Sequence, residues 1–393
     1  MQTVILAAGE GTRMRPLTAN LPKPMLPIAD RPLVAHTAEA AVDAGTDELI
    51  FVVGYEADVV REYFGEEYQG AQVNYAIQEG QEGTADAVAA ARDYLEGDFC
   101  VLNGDDLYDR ASIATLFDSV PSVGAYRADE PSNYGVLTVD GGRVTGIVEK
   151  PDEPDTDLVN AGAYAFPAEA REWLDVPKGD RGEREITDVL ARAIKEREVS
   201  YAEIGRWLGV GRPWELLEAN EWKLADLDRD VRGEVADDAD LRGTVVVEEG
   251  ATIEPGVVIE GPVLIRSGAR VGPNAYVRGA TLLGANSRVG QSVEVKNSVI
   301  MADSKVPHLS YVGDSLLGQE VNFGAGTTVA NLRHDDEAVE QTVKGERTST
   351  GRRKYGVVVG DGTKTGIDTT LYPGVVLSAG ARTEPNETVS RDR

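Results

Sequence analysis

The sequence of 393 residues contains a single cysteine and no uninterrupted apolar run of the roughly 20 residues that cross a bilayer. Cys100 stands in the apolar stretch Asp98-Phe-Cys-Val-Leu102, so an intrachain disulfide is impossible and a buried strand thiol is expected. The first residues also lack the charged region, apolar stretch and small-residue cleavage site of an export signal. These absences predict a cytoplasmic protein without disulfides or membrane spans.

Basic residues are scarce relative to acidic ones. The chain has 39 Lys and Arg against 67 Asp and Glu, which gives a net charge of -28. Nucleic acids and anionic membranes are bound by basic surfaces, so we expect neither as a partner. The acidic residues are spread along the chain and form no tail, which favours a solvated, halophilic surface.

A halophilic surface makes a direct prediction about salt. Molar KCl is expected to raise the melting temperature, because salt screens the repulsion among like charges. Thermal scans in low and in molar KCl measure the effect. A melting temperature that is insensitive to KCl would contradict this interpretation.

The length favours two domains, and the first has the pattern of an α/β, Rossmann-like fold. Short apolar runs predict strands at 3–7, 48–53, 73–77 and 99–102, and helical patterns predict helices at 33–44, 57–64 and 84–95. Ligands of parallel sheets bind beyond the carboxyl ends of the strands. We therefore expect the loops after Ala7, Ile77 and Leu102 to converge.

A linker helix and an acidic stretch mark the domain boundary. Pro213 is placed to open a helix at about 213–227, and the acidic segment 226–240 follows it. The predicted domains are 1–226, including the linker helix, and 235–393.

The second domain has apolar residues at every sixth position, a period typical of stacked coils that bury one continuous core. The apolar positions are Val235, Leu241, Val247, Ile253, Ile259, Ile265, Val271, Val277, Leu283, Val289, Val295 and Met301. Such hexapeptide repeats resemble the all-β left-handed parallel β-helix family. That resemblance implies the handedness and assembly as a homotrimer.

The six-residue period breaks twice. The step from Met301 to Tyr311 is ten residues, which predicts a four-residue bulge that holds His308 before Leu317 and Phe323 resume the pattern. A polar segment at 332–355 predicts an excursion loop before Val359. Binding groups are expected in such interruptions.

The chain begins with a glycine-rich, basic segment. It runs Leu6-Ala-Ala-Gly-Glu-Gly-Thr-Arg13 and ends in Pro22-Lys23-Pro. Glycines at 9 and 11 let backbone N–H groups approach a polyphosphate, whose charge Arg13 and Lys23 can neutralise. Met14 stands where a dinucleotide-binding fingerprint requires its third glycine, which excludes nicotinamide binding.

This segment resembles the sugar-1-phosphate nucleotidylyltransferases, and further motifs of that family follow in order. Gln78 with Gly83-Thr84-Ala85 resembles the pair that reads the base, and Asn103-Gly104-Asp105 resembles the metal motif. Glu149-Lys150-Pro151 and Asn160-Ala161-Gly162 resemble the sugar-binding motifs. The resemblance assigns nucleotide binding to Ala7, Ala8, Gly9, Gly11, Thr12, Gln78, Gly83 and Thr84; sugar-phosphate binding to Gly104, Glu149, Lys150 and Asn160; catalysis to Arg13 and Lys23; and Mg²⁺ to Asp105.

The implied chemistry is charge neutralisation. A sugar-1-phosphate oxygen attacks the α-phosphate of UTP or dTTP, so two anions must meet and no protein nucleophile is required. Arg13, Lys23 and Mg²⁺ supply positive charge. Many relatives carry a second acidic metal ligand where Gly209 stands here. Asp106 is a nearby carboxylate that either helps to hold the metal or is only a cap or a solvent-facing group.

The second domain carries a run of polar residues among its hexads. It includes Val293-Glu-Val-Lys296, His308-Leu-Ser-Tyr311 and Val321-Asn322-Phe-Gly-Ala-Gly-Thr327. The run resembles the acetyltransferase half of the bifunctional N-acetylglucosamine-1-phosphate uridylyltransferases, the GlmU-like family in its archaeal type. The resemblance makes His308 the general base that frees the sugar amine to attack acetyl-CoA, a task suited to imidazole. It assigns sugar-phosphate binding to Arg278, Lys296 and Tyr311, and substrate orientation to Asn322 and Asn331.

The excursion loop adds a cluster of basic residues. They are Lys344, Arg347, Arg352, Arg353 and Lys354. They either meet coenzyme A phosphates or form a solvated basic loop. The family completes its acetyl-transfer sites between subunits, which implies that a monomer is inactive in that reaction.

Three interpretations of the whole chain remain. The first is a bifunctional enzyme that acetylates glucosamine-1-phosphate and then transfers a uridylyl group to the product. The second is a glucose- or mannose-1-phosphate nucleotidylyltransferase whose β-helix is structural or regulatory. The third is a non-enzymatic subunit that binds nucleotide sugars, which only Gly209 supports. His308 and its neighbours favour the first interpretation over the second.

Overall fold

The computed structural model describes residues 1–179 and 182–393, which fall into two units. The first unit comprises Met1–Glu10, Pro22–Met25 and Pro32–Gly209, and the second comprises Gly11–Leu21, Leu26–Arg31 and Val210–Arg393. In this described part of the chain, no helix is long and apolar enough to cross a membrane. The domain limits at 226 and 235 remain a prediction.

The described part of the first unit contains a ten-stranded sheet whose centre is parallel. Its path runs β11-β10-β12-β7-β1-β4-β6-β5, with β9 paired to β12 and β13 paired to β9. The strands up to residue 209 are β1 Gln2–Leu6, β2 Pro27–Ile28, β3 Arg31–Pro32, β4 Glu48–Val53, β5 Glu67–Tyr68, β6 Ala71–Ile77, β7 Phe99–Asn103, β8 Asp106–Tyr108, β9 Ser122–Arg127, β10 Gly135–Asp140, β11 Arg143–Glu149, β12 Leu158–Phe166, β13 Ser200–Glu203 and β14 Trp207–Gly209.

Helices connect the parallel strands β1, β4, β6 and β7, as the alternating pattern predicts, and further helices follow along the chain. They are α1 Leu33–Asp43, α2 Ala57–Phe64, α3 Thr84–Ala90, α4 Arg110–Phe117, α5 Ile186–Glu196 and α6 Pro213–Ala225. The strands and helices predicted before residue 100 are confirmed, except that α3 ends early and a 3₁₀ turn follows at Arg92–Tyr94. Pro213 opens α6 at its first turn, as predicted.

Residues 230–393, all described, form a parallel β-helix with three faces. One face is β15-β18-β21-β24-β27-β30-β34-β36, the second is β16-β19-β22-β25-β28, and the third is β17-β20-β23-β26-β29-β31-β35-β37. The strands, with a hairpin β32–β33, are β15 Asp230–Val231, β16 Glu234–Val235, β17 Asp240–Arg242, β18 Val245–Val247, β19 Thr252–Ile253, β20 Val258–Glu260, β21 Val263–Ile265, β22 Arg270–Val271, β23 Tyr276–Arg278, β24 Thr281–Leu283, β25 Arg288–Gln291, β26 Glu294–Lys296, β27 Val299–Ile300, β28 Lys305–His308, β29 Tyr311–Gly313, β30 Leu316–Leu317, β31 Thr328–Val329, β32 Glu340–Val343, β33 Glu346–Ser349, β34 Val358–Val359, β35 Thr370–Leu371, β36 Val376–Leu377 and β37 Thr388–Val389.

The hexad positions form the core of the β-helix. Ile253 pairs with Val271 and Val271 with Val289, so one coil takes three hexads. These side chains are fully buried in one continuous cluster that runs from Val245 to Val389. Stacking of the repeats therefore buries a continuous hydrophobic core that no single coil could bury.

The predicted four-residue bulge at His308 is wrong. Residues 305–308 form β28, which pairs with β25 in the ladder, and Val306 is buried. Two coils are each one residue shorter instead: Leu283 pairs with Ile300, and Ile300 with Leu317. Ile300 and Val312, and not Met301 and Tyr311, belong to the buried cluster. The hexad spacing misassigned them because each inward residue has a large hydrophobic or aromatic neighbour.

The second predicted interruption is confirmed as an excursion. Its strands β32 and β33 pair as an antiparallel hairpin, and Leu332 bridges Lys354 at its base. The ladder then resumes, since Leu317 pairs with Val359.

A buried asparagine fixes residues 26–31 within the second unit. The Ala29 backbone N–H donates to Asn220 Oδ1 at 3.0 Å, and Asn220 Nδ2 donates to the Ala280 carbonyl at 3.1 Å. Asn220 lies on α6 and is 0% exposed. A buried amide that satisfies two backbone groups is costly to remove.

Replacing Asn220 with alanine is expected to lower the free energy of unfolding by about 3 kcal/mol, because two buried backbone groups lose their partners. Urea unfolding followed by tryptophan fluorescence, to which Trp214 and Trp222 of α6 contribute, measures the change. Glu218→Ala, on the exposed face of the same helix, is the control and should change the stability little. Equal stability of the two variants would contradict the assigned role of Asn220.

Candidate functional site

The first part of the site lies at the carboxyl ends of β1 and β7. Leu6 and Asn103 pair at the last positions of these parallel strands. The Gly104 N–H then donates to the Leu6 carbonyl at 2.9 Å. A Cβ at position 104 would lie 2.6 Å from that oxygen, so only glycine fits. Gly104 therefore allows the backbone that follows β7 to lie directly against the end of β1.

Lys23 and Asp105 form an ion pair at this edge. Lys23 belongs to the 3₁₀ helix Lys23–Met25 and is only 7% exposed, whereas 41% of the Asp105 side chain is exposed. The structure thus brings together the predicted catalytic lysine and the predicted metal ligand. A buried ammonium beside a more open carboxylate can meet an anionic ligand and a cation at one place.

Asp106 is a buried partner of this pair. It is 5% exposed and accepts hydrogen bonds from Asn103 Nδ2 at 3.0 Å and from the Tyr108 hydroxyl at 3.2 Å. Burial and the charge of Asp105 raise the pKa of Asp106 to about 7, although Asn103, Lys23 and Trp207 oppose the shift. Its side chain therefore neither faces solvent nor caps a helix.

Gly209 pairs with Asp106 across β14 and β8. A Cβ at position 209 would lie 3.1 Å from Asp106 Oδ1, so a larger residue would crowd this carboxylate. Within residues 1–179 and 182–393, no three acidic, histidine or cysteine side chains cluster as a metal site. Asp105 is the more exposed of the two adjacent carboxylates.

The predicted base-reading residues also come together. Gln78 follows β6 and donates from Nε2 to the Gly83 carbonyl at 3.3 Å and to Asp86 Oδ2 at 2.8 Å. Gly83 has φ +121°, and a Cβ there would lie 2.2 Å from the Arg184 carbonyl oxygen. The Thr84 hydroxyl accepts from the Ile186 N–H at 2.9 Å, so it supports the start of α5.

The predicted sugar motifs lie on β11 and β12. Asn160 Nδ2 donates to the Tyr164 hydroxyl at 2.7 Å, and Asn160 Oδ1 accepts from the Gly162 N–H at 3.0 Å. A Cβ at Gly162 would lie 2.1 Å from Asn103 Nδ2, which places this turn against the metal motif. Glu149 and Lys150 are exposed at the end of β11. Burial raises the pKa of Tyr164, the partner of Asn160, and the charge of Glu149 raises it further.

The glycine-rich segment is divided between the two units. Ala7, Ala8 and Gly9 belong to the first unit, and both alanines are buried. Thr12 and Arg13 belong to the second unit, where Gly11 has φ +64° and precedes the 3₁₀ turn Thr12–Met14. The Arg13 side chain is exposed.

On the third face of the β-helix, four predicted residues lie together. Arg278 and Lys296 are register neighbours, as β23 pairs with β26. Lys296 Nζ donates to Asp314 Oδ2 at 2.7 Å, and Asn331 Nδ2 donates to the Tyr311 hydroxyl at 3.2 Å. Burial, together with the charge of Asp314, raises the pKa of Tyr311.

His308 and Asn322 lie on the neighbouring face. His308 ends β28 with an exposed side chain, opposite Gln291. Asn322 forms an isolated bridge with Lys305, three residues before His308. One chain thus places the predicted base and the predicted phosphate-binding cluster on adjacent faces.

The basic residues of the excursion are partly engaged. Arg352 pairs with Glu221 of α6, and Arg353 Nη2 lies 2.5 Å from Asp336. Arg347 Nε lies 3.7 Å from Glu340. Among the described residues, Lys344 and Lys354 are the two members of this group that form no salt bridge, so a phosphate could contact them without displacing one.

Sequence reasoning did not single out several acidic partners of the site. Asp86 holds Gln78, Glu294 accepts from Arg278 Nη2 at 2.8 Å, and Asp314 holds Lys296. Glu294 lies within the motif Val293-Glu-Val-Lys296, and Asp314 lies three residues after Tyr311, but their burial and their partners are visible only in three dimensions.

Two family models match the chain. The nucleotidyl transferase model matches residues 2–225, and the GMPPB C-terminal domain model matches residues 259–379. The first match spans more than half of the chain and includes Lys23, Asp105 and Asp106.

Several curated relatives match along nearly the full length. The bifunctional protein GlmU of Methanocaldococcus jannaschii is 39% identical over 382 residues, covering 96% of this chain and 92% of that protein. The bifunctional sugar-1-phosphate nucleotidylyltransferase/acetyltransferase of Sulfurisphaera tokodaii is 38% identical over 401 residues, covering 100% and 98%. The UTP–glucose-1-phosphate uridylyltransferase AglF of Haloferax volcanii is 36% identical over 238 residues, covering 56% of this chain and 96% of that protein.

A solved structure supports the fold of the first half. A UDP-glucose pyrophosphorylase complexed with UDP-glucose has a TM-score of 0.52 and 24% identity, and it covers 57% of this chain and 99% of that chain. From the family match and the full-length relatives, the chain belongs to the nucleotidyl transferase family and is an enzyme of the bifunctional, GlmU-like sugar-1-phosphate nucleotidylyltransferase type.

Proposed function

We propose that this chain makes UDP-N-acetylglucosamine in two reactions. The β-helix transfers an acetyl group from acetyl-CoA to glucosamine-1-phosphate, and the α/β domain transfers a uridylyl group from UTP to N-acetylglucosamine-1-phosphate. The full-length similarity to bifunctional relatives supports both activities.

One observation carries the proposal: a second polar cluster exists on the β-helix in addition to the Lys23–Asp105 pair. On one face, Lys296 and Asn331 both donate to Asp314, and Asn331 also donates to the Tyr311 hydroxyl. A β-helix used only for assembly gains nothing from burying an ion pair, because such pairs contribute little net stability. The cluster is therefore better explained as a binding site for an anionic sugar.

In uridylyl transfer, the sugar phosphate oxygen bonds to the α-phosphorus of UTP, and the bond to pyrophosphate breaks. Lys23 neutralises phosphate charge and aligns the two anions, and Arg13 is proposed to add a second positive charge. Gln78 and Gly83 read the base, with Asp86 holding the Gln78 amide in place. Gly104, Glu149, Lys150 and Asn160 are proposed to shape the sugar side of the site.

Asp105 is the residue that fits Mg²⁺. Magnesium in phosphate-binding sites is commonly held by one or two carboxylates, and Asp105 would be such a ligand here. Asp105 offers an exposed carboxylate, whereas the Asp106 oxygens are buried and bonded to Asn103 and Tyr108. When bound, the metal supplies positive charge beside the phosphates.

In acetyl transfer, His308 removes a proton from the sugar amine. The amine nitrogen forms a bond to the thioester carbonyl carbon, the carbon–sulfur bond breaks, and coenzyme A leaves as a thiol after protonation. Arg278, Lys296 and Tyr311 hold the phosphate, and Asn322 and Asn331 orient the sugar. His308 stands on a neighbouring face, which suits a site completed by another copy in the proposed cytoplasmic homotrimer.

The full chain can be tested with two assays. With acetyl-CoA and glucosamine-1-phosphate, we expect thiol release; with UTP, Mg²⁺ and the acetylated sugar phosphate, we expect pyrophosphate release. Glucose-1-phosphate, which has no amine, is the matched control and should release no thiol. Absence of thiol release with glucosamine-1-phosphate would reject the bifunctional proposal.

One comparison favours the alternative. Residues 259–379 match the GMPPB C-terminal domain model, and the Haloferax volcanii relative is a glucose-1-phosphate uridylyltransferase. A glucose- or mannose-1-phosphate nucleotidylyltransferase would release pyrophosphate with those sugars and no thiol in either assay.

A further inference from the structure

Asp314 is a buried carboxylate with no assigned role in the reaction. It follows β29, has φ +51°, and is 3% exposed. Burying a charge is unfavourable unless partners compensate it. The identity of those partners indicates what the carboxylate does.

Three side chains donate to Asp314. Lys296 Nζ and Asn331 Nδ2 donate to Oδ2 at 2.7 and 2.5 Å, and Asn297 Nδ2 donates to Oδ1 at 3.0 Å. Two of these donors follow one another at β26, and the third follows β31. Asp314 thus ties together groups from coils on both sides of its own.

These bonds fix which atoms remain for a ligand. Asn331 donates both amide hydrogens, one to Asp314 and one to the Tyr311 hydroxyl, so its Oδ1 is left to accept. Lys296 uses one of its three hydrogens on Asp314 and retains two. The Asp314 carboxylate therefore fixes the directions of two groups that can bind a ligand: the Asn331 Oδ1 acceptor and the Lys296 ammonium.

The second Asp314 oxygen, Oδ1, accepts from Asn297, whose amide is itself held by a residue outside the β-helix coils. Asn297 also donates to Glu221 of α6 at 2.8 Å, and Glu221 pairs with Arg352 of the excursion. Both amide hydrogens of Asn297 are therefore used, which orients its bond to Asp314.

We propose that Asp314 is a positioning residue for acetyl transfer. The inference rests on the proposed function of Lys296 and Asn331. Asp314 does not touch the anionic substrate, since like charges repel. It holds Lys296 toward the sugar phosphate and turns the Asn331 oxygen toward the sugar.

The test is Asp314→Asn in the full chain, which keeps the shape and removes the charge. We expect KM for glucosamine-1-phosphate to rise about tenfold or more, because a charge-assisted hydrogen bond is lost. The pH profile of the rate should keep its shape, because His308 remains the base, and uridylyl transfer should be unchanged. Asp368→Asn, another aspartate with positive φ but with an exposed side chain, is the matched control.

Two further variants separate positioning from folding. In the Lys296→Met background, Asp314→Asn should raise KM by a smaller factor than in the wild type, because only the bond to Asn331 remains to be lost. Asn297→Ala keeps the Asp314 carboxylate but removes the hydrogen bond that orients it. This variant should raise KM for glucosamine-1-phosphate by a smaller factor than Asp314→Asn.

The outcomes are distinct. If the wild type releases thiol but KM is unchanged in both Asp314→Asn and Asn297→Ala, the positioning role of Asp314 is overturned and the proposed function is not. An equal loss of uridylyl transfer would also overturn it, because a folding defect would explain the effect. Absence of thiol release from the wild type would overturn the inference together with the proposed function.

Discussion

Replacing Lys23 with alanine is expected to lower the rate of uridylyl transfer about 10³-fold, the scale of removing one preorganised positive group from a phosphoryl-transfer site. Lys23 is buried and paired with Asp105, and the proposed function places the two reacting phosphates at its ammonium. Without it, Asp105 adds to the negative charge that the substrates must overcome. Release of pyrophosphate from UTP measures the effect.

The control for this prediction is Lys195→Ala. Lys195 is an exposed lysine on α5, so its removal changes the net charge equally without touching the site. Its rate should match that of the wild type, and circular dichroism should show that both variants are folded. Near-normal turnover by Lys23→Ala would remove Lys23 from the site.

The second large effect is expected from His308→Ala. Loss of a general base lowers a rate by about 10²- to 10⁴-fold, and here only acetyl transfer should be affected. The His308 side chain is exposed at the end of β28, so its removal leaves no cavity in the buried core. Thiol release from acetyl-CoA measures the first activity, and pyrophosphate release measures the second.

His334→Ala supplies the comparison. His334 is an exposed histidine of the excursion segment, and its replacement should leave both reactions unchanged. Retention of that acetyl-transfer activity in His308→Ala would assign the base to another group.

The six-residue repeat predicted the β-helix because period and burial are directly linked in stacked coils. It could not predict where a coil loses one residue. Ile300 and Met301 are both hydrophobic, so the sequence does not show which of them points into the core. The same ambiguity recurs at Tyr311 and Val312. Only the pairing of Leu283 with Ile300 distinguishes them.

The candidate site was likewise predictable only in part: the sequence indicated which residues lie together, but not the environment of each side chain. The order of motifs located Lys23 and Asp105, which the fold brings into contact. The state of Asp106 was not readable, because burial and the charge of Asp105 determine it, with opposing contributions from Lys23 and Trp207, which are distant in sequence. The same holds for Asp314, whose donors Lys296, Asn297 and Asn331 are 17 or 18 residues away in sequence.

The Asn220 bridge has a consequence for the order of biosynthesis. A ribosome makes residues 26–31 early, yet the Ala29 amide finds its acceptor only after α6 has been translated. The same asparagine reaches the Ala280 carbonyl, which emerges later still. This stretch near the amino terminus therefore reaches its final conformation only when several coils of the carboxyl-terminal half have left the exit tunnel.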